Sequence, residues 1–136
     1  QLEKVQEPYQ CNWMVFREIY HMVARMIERS GQQVQLMLCT LTDMEKHPIR
    51  SDECAEVLSR YIWESICRSI RAGDVVTRYG KGQYLVLLIN TKPEDCQEIQ
   101  KRIDVQFRKK DTVYEIRYSV KSVRSLNNAK DDQSLS

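Results

Sequence analysis

The chain has 136 residues, 42% of them apolar and 29% charged, with 21 Lys and Arg against 19 Asp and Glu. That length fits one domain, and the composition is that of a folded globular chain rather than a disordered one. A net charge of +2 supplies no clustered positive field for nucleic acid or anionic lipid. No run approaches the roughly 18 apolar residues of a membrane span, and the polar N-terminus has no signal-peptide pattern. Neither nucleic acid nor a membrane is an expected partner, and the expected location is cytoplasmic.

Cysteine usage agrees. Cys11, Cys39, Cys54, Cys67 and Cys96 are odd in number, widely spaced and without a CxxC pair. They read as reduced thiols, mostly in apolar surroundings, with neither a disulfide framework nor a zinc site. His21 and His47 are too isolated to complete a metal cluster. No cofactor and no metal is expected. The start at Gln1, without Met, reads as a piece of a longer protein. Residues 1–125 read as one domain, and 126–136 as a flexible polar tail.

In chain order, Asn12 is a helix cap, and Trp13, Phe16, Tyr20, Val23 and Ile27 follow at steps of three and four on one face. Gly31 stops this helix. Val34–Thr42 is a short apolar run bounded by polar ends, expected as a buried strand. After a loop containing Pro48, Ser51 is expected to cap a second helix with Asp52 and Glu53 in its first turn. Its stripe is Cys54, Val57, Leu58, Tyr61, Ile62, Ile66 and Ile70. Arg68 and Arg71 fall in its last turns, and Gly73 is the expected C-terminal cap. Asp74–Tyr79 and Gln83–Ile89 are two strands joined by Gly80-Lys81-Gly82, a hairpin. Thr91 is expected to cap a third helix with Pro93 in its first turn and Cys96, Ile99, Ile103 and Phe107 inward. Val113–Val123 alternates, with Tyr114, Ile116, Tyr118 and Val120 on one face, the mark of a half-exposed strand.

Without its first helix the order is β-α-β-β-α-β. The expected fold class is α/β of the α+β kind, a ferredoxin-like core with a leading N-terminal helix and the hairpin at the centre of the sheet.

The segment RAGDVVTRYGKGQYLVLL at Arg71–Leu88 resembles the signature hairpin of the GGDEF, or diguanylate cyclase, family, which reads R-x-x-D, three residues, then R-Y-G-G-[DE]-E-F. Arg71 and Asp74 match the first pair, and Arg78, Tyr79 and Gly80 match the lead-in. The signature turn then departs from the pattern: Lys81 stands for the second glycine, Gly82 and Gln83 for the two acids, and Tyr84 for the phenylalanine. The resemblance spans roughly residues 7–123, with Glu7-Pro8 and Phe16 loosely similar to the family's opening motif. It implies the nucleotidyl-cyclase-like version of the same core.

The family condenses two GTP molecules into cyclic di-GMP with two metals, which need anionic oxygen ligands from the first strand's end and the hairpin turn. Gly82 and Gln83 offer none. Asp43 is the one carboxylate at the strand end, and its register lies beyond the ligand position. The Asn and Asp that read guanine have no match in Met44–Ala55. The expectation is therefore a degenerate, catalytically inactive signalling domain with no catalytic residues. It would work by contacts with other domains of a bacterial regulator, of a kind associated with transcription, or with a protein partner, and a homodimer is compatible.

The alternative is a cyclic di-GMP or GTP receptor, because R-x-x-D forms an inhibitory nucleotide site in the family. Arg71 would pair with guanine or phosphate acceptors, and Asp74 with guanine nitrogens. The same two residues also read as a helix-end cation and a polar strand entry. An active cyclase and an RNA binder are the remaining readings. The second lacks the stacking aromatics in Lys81–Leu88 that unpaired bases require.

Overall fold

The computed structural model of the protein describes residues 7–49 and 56–124. The expected cap at Ser51, the first-turn residues Asp52 and Glu53, the stripe residue Cys54 and the tail 126–136 lie outside them. The elements are β1 (Tyr9–Cys11), α1 (Trp13–Ser30), β2 (Gln35–Thr42), α2 (Glu56–Cys67), β3 (Val75–Gly80), β4 (Gln83–Leu88), a 3-10 turn (Pro93–Asp95), α3 (Cys96–Arg108) and β5 (Glu115–Ser122). They build a five-stranded sheet in the order β1-β3-β4-β2-β5. Only the β1–β3 pair is parallel; β3–β4, β4–β2 and β2–β5 are antiparallel. The four long strands with α2 and α3 are the expected ferredoxin-like core.

The hairpin is interior but off-centre. The central strand is β4, with β3 on one side and β2 on the other. The crossover through α2 carries the chain past one strand position to β3, and the hairpin folds β4 back into the gap, where it gains antiparallel neighbours on both edges. The turn is also tighter than expected. Gly80 pairs with Gln83 inside the ladder, after an irregularity between Arg78 and Gly80, so Lys81 and Gly82 alone make the bend. Gly82 has φ of 66°, a conformation glycine adopts without strain.

Two cores lie on opposite faces. On one, α2 and α3 bring Ile62, Ile66, Ile103 and Phe107 against Met37, Cys39, Val86 and Leu88. On the other, α1 brings Phe16, Tyr20 and Ala24 against Leu36, Leu85 and Leu87. The strand β4 is buried from Tyr84 to Leu88 because both faces are covered, which is why its sequence does not alternate. Helix α1 begins and ends as its sequence implies. The Asn12 side chain accepts from the Val15 N–H at 2.9 Å, and Gly31 in the left-handed region donates its N–H to Ile27.

Three boundaries differ from expectation. The strand β1 has only three residues, too few to show a period, and forms because β3 would otherwise present an open edge. Helix α2 ends at Cys67 and not near Arg71; Gly73 has no positive φ and caps nothing. The Ser65 and Ser69 hydroxyls donate back to the Tyr61 and Ser65 carbonyls, an arrangement that loosens a helix end. Thr91 does not cap the third helix either. Its hydroxyl donates to the Ile89 carbonyl and accepts from Arg71, and a 3-10 turn precedes α3.

Cys39 and Cys96 are buried, and Cys11 and Cys67 are partly so; all four are free thiols. Burial raises the pKa of each, pushing Cys67 up to about 11 with further help from Glu7 and Glu64. The thiolate is the reactive form. Alkylation of the native protein at neutral pH, followed by peptide mass mapping, should leave Cys39 and Cys96 unmodified until denaturant is added. Rapid labelling of Cys39 in the folded state would contradict this packing.

Candidate functional site

The signature turn sits at the end of the hairpin beside the C-terminal end of β2. Register places Thr40 opposite Gln83 and Cys39 opposite Tyr84. The Gly82 carbonyl accepts from the Leu41 N–H at 2.7 Å, so the turn's backbone is fastened to β2. Gly82 is buried while Lys81 is exposed at the tip. Gln83 folds back over Gly80: a Cβ added at Gly80 would lie 3.1 Å from its Oε1. The tip thus presents a lysine, an amide and backbone.

Asp43 follows directly after β2. Its Oδ1 accepts from the N–H groups of Glu45 and His47, each at 2.9 Å, and its Oδ2 lies 3.9 Å from His47 Nδ1. This aspartate closes its own loop, as Asx turns do. Among the described residues, no group of three or more His, Cys, Asp or Glu side chains is arranged to hold a metal ion.

The two tyrosines beside the turn have separate roles. Tyr84 is 1% exposed; its ring packs against Trp63 with centroids 5.8 Å apart, and its hydroxyl donates to the Ser59 carbonyl. It is a core residue facing α2. Tyr79 is half exposed and meets Trp13 edge-on at 5.1 Å, and Trp13 stacks on Phe16. Trp13 is thus a packing anchor that ties the start of α1 to β3.

Arg71 and Asp74 do come together, but at the opposite end of the hairpin from the turn. Asp74 is 1% exposed. Its Oδ2 accepts from the Arg71 N–H at 2.8 Å, and its Oδ1 accepts from the Ile89 N–H at 3.0 Å. The Arg71 Nε lies 3.8 Å from Oδ2, while Nη2 donates to the Ile89 carbonyl and to the Thr91 hydroxyl. The backbone closes the same knot, since Asp74 N–H donates to the Arg71 carbonyl and Tyr9 N–H to the Asp74 carbonyl. Both carboxylate oxygens are engaged by this chain. The Arg71 side chain keeps 59% of its surface in water.

A second polar feature had no sequence signal. An open groove of about 430 Å³ runs between α3 and β5, with Lys46, Lys101, Asp104, Arg117 and Tyr118 among its lining. The Tyr118 hydroxyl donates to Asp104 Oδ1 at 2.8 Å. Burial raises the Asp104 pKa, against the opposing effects of the Tyr118 hydrogen bond and of Arg108. Only tertiary packing brings these distant positions together.

The Asp74 clasp makes a stability prediction. Asp74→Ala leaves two part-buried backbone donors unpaired, each in the lower half of the about 1–3 kcal/mol that a fully buried loss costs. Equilibrium urea unfolding should show a loss of about 2–4 kcal/mol. A loss below about 1 kcal/mol would mean that the clasp does not hold the fold.

Neither a protein-family model nor a curated protein sequence matches the chain. Solved structures do. Diguanylate cyclase SiaD from Pseudomonas aeruginosa, in complex with its activator SiaC, superposes with a TM-score of 0.68 at 16% identity, over 91% of this chain and 51% of that one. The chain thus spans about half the length of that cyclase. A DGC protein from Thermotoga maritima gives a TM-score of 0.68 at 15% identity, over 94% and 92%. A microbial GGDEF domain described in a novel interaction mode with cyclic di-GMP gives 0.62 at 10% identity, over 91% and 84%. The five strands, three helices and hairpin of this chain are the fold of the GGDEF diguanylate cyclase domains.

Proposed function

We propose that the chain is a catalytically inactive GGDEF-like regulatory domain of a larger bacterial regulator, which transmits its signal through protein contacts. One observation carries this reading. Among the described residues, the turn and the strand end fastened to it present Lys81, Gly82, Gln83, Thr40 and Leu41, and the adjacent Asp43 carboxylate closes its own loop. Two divalent cations beside a triphosphate need several anionic oxygens. A lysine tip and neutral amide and hydroxyl groups do not provide them. One protein of this fold, the cyclase SiaD, is known in complex with an activator protein, which is compatible with a protein partner here. The assay is incubation with GTP and Mg²⁺ or Mn²⁺ followed by chromatography. No cyclic di-GMP is expected, and its formation above a no-protein control would refute inactivity.

The receptor reading keeps one point in its favour, the half-exposed guanidinium of Arg71. Against it stands Asp74, whose two oxygens already accept backbone N–H groups. Calorimetry with cyclic di-GMP and with GTP is expected to give no heat. A saturable response abolished by Arg71→Ala, with the Tm retained, would replace scaffold by receptor.

A further inference from the structure

We propose that α1 carries a self-association surface, on which a second copy of this chain lays its own α1 antiparallel. Helix α1 spans 18 residues and turns Phe16, Tyr20 and Ala24 to the sheet. Its apolar arc is wider than that contact. Val15, Ile19, Met22 and Met26 fall within a sector of about 60°, rotated about 120° from the sheet-facing row at 3.6 residues per turn. Val15 is 37% exposed, and Met22 and Met26 are each 52% exposed. Ile19 is partly buried and joins this row to the core. The steps of four, three and four are those of a helix-packing seam, and unbranched methionines adapt well to a facing surface. A row of exposed apolar side chains on one helix face marks an interaction site more than scattered ones do.

The flanking charges indicate the occupant. Exposed Glu18 and Arg25 border the row on the same side, seven residues apart. When a second α1 is turned antiparallel, with Val15 opposite Met26 and Ile19 opposite Met22, each Glu18 meets the Arg25 of the other copy. A two-fold axis repeats this pair, so the patch is complementary to itself, as an isologous interface requires. A parallel copy makes neither pair. The surface is separate from the signature turn and does not rest on the loss of catalysis.

Sedimentation velocity of the full chain over a rising concentration series tests this. A dimer is expected, and Met22→Glu and Met26→Glu should each raise its Kd more than tenfold while leaving the Tm unchanged. Two symmetry-related surface pairs are together worth about fivefold in Kd. Glu18→Arg and Arg25→Glu alone should each weaken the dimer by about that factor, and the double exchange should restore it. A monomer at millimolar concentration, a dimer indifferent to both methionine variants, or single charge exchanges that the double variant does not rescue would each overturn the proposal.

Discussion

A carboxylate with almost no contact with water must be satisfied by its own protein, and Asp74 is satisfied by parts of the chain that must be in place together. An unpaired charge at such a depth would destabilise the fold by several kcal/mol. Instead Asp74 accepts the N–H of Arg71 just beyond α2 and that of Ile89 just beyond β4, while its carbonyl receives β1 through Tyr9. The knot therefore fixes where the crossover ends, where the central strand ends and where the parallel edge strand begins. Arg71 reinforces it from outside by bonding to Ile89 and Thr91. Sheet order follows from this junction and from the apolar β4, which is tolerable only with both of its faces covered.

The same junction explains an asymmetry within one motif. The segment has the R-x-x-D spacing at Arg71 and Asp74 but no acid in its turn, where Gly82 and Gln83 stand. Arg71, Asp74 and Gly82 all have local structural work: the first two close the knot, and Gly82 takes a positive φ while its carbonyl bonds to Leu41. Acids in the turn would have none. Clustered carboxylates repel one another unless a cation or a hydrogen-bond donor neutralises them.

Much of this was legible in the residues, and the failures share a cause. The bounds of α1, the buried β2, the hairpin and the alternation of β5 are set by local periodicity and by the caps at Asn12 and Gly31, all readable within a short window. Other features are set by partners far away in sequence. The strand β1 pairs only with β3, 66 positions on. Thr91 looks like a cap, but its hydroxyl is held by Arg71 from 20 residues away. The end of α2 is accompanied by serine hydroxyls bonding backwards, which composition does not reveal. In the candidate site, the meeting of Arg71 and Asp74 was visible from their spacing. That both Asp74 oxygens already accept backbone N–H groups was not, because the second donor is Ile89, 15 residues on.

The two faces of the sheet are covered differently. On one face, α2 and α3 bury their rows together, and Tyr84 reaches across to bond Ser59. On the other, α1 lies alone, anchored at its start by Trp13 between Phe16 and Tyr79. A lone helix exposes more of its circumference than one of a pair, so its apolar arc extends beyond what the sheet covers. Trp13 couples that helix mechanically to β3, and β3 runs directly into the turn. A contact made on the exposed side of α1 is thus linked through one aromatic cluster to the hairpin, and the hairpin through Leu41 to β2.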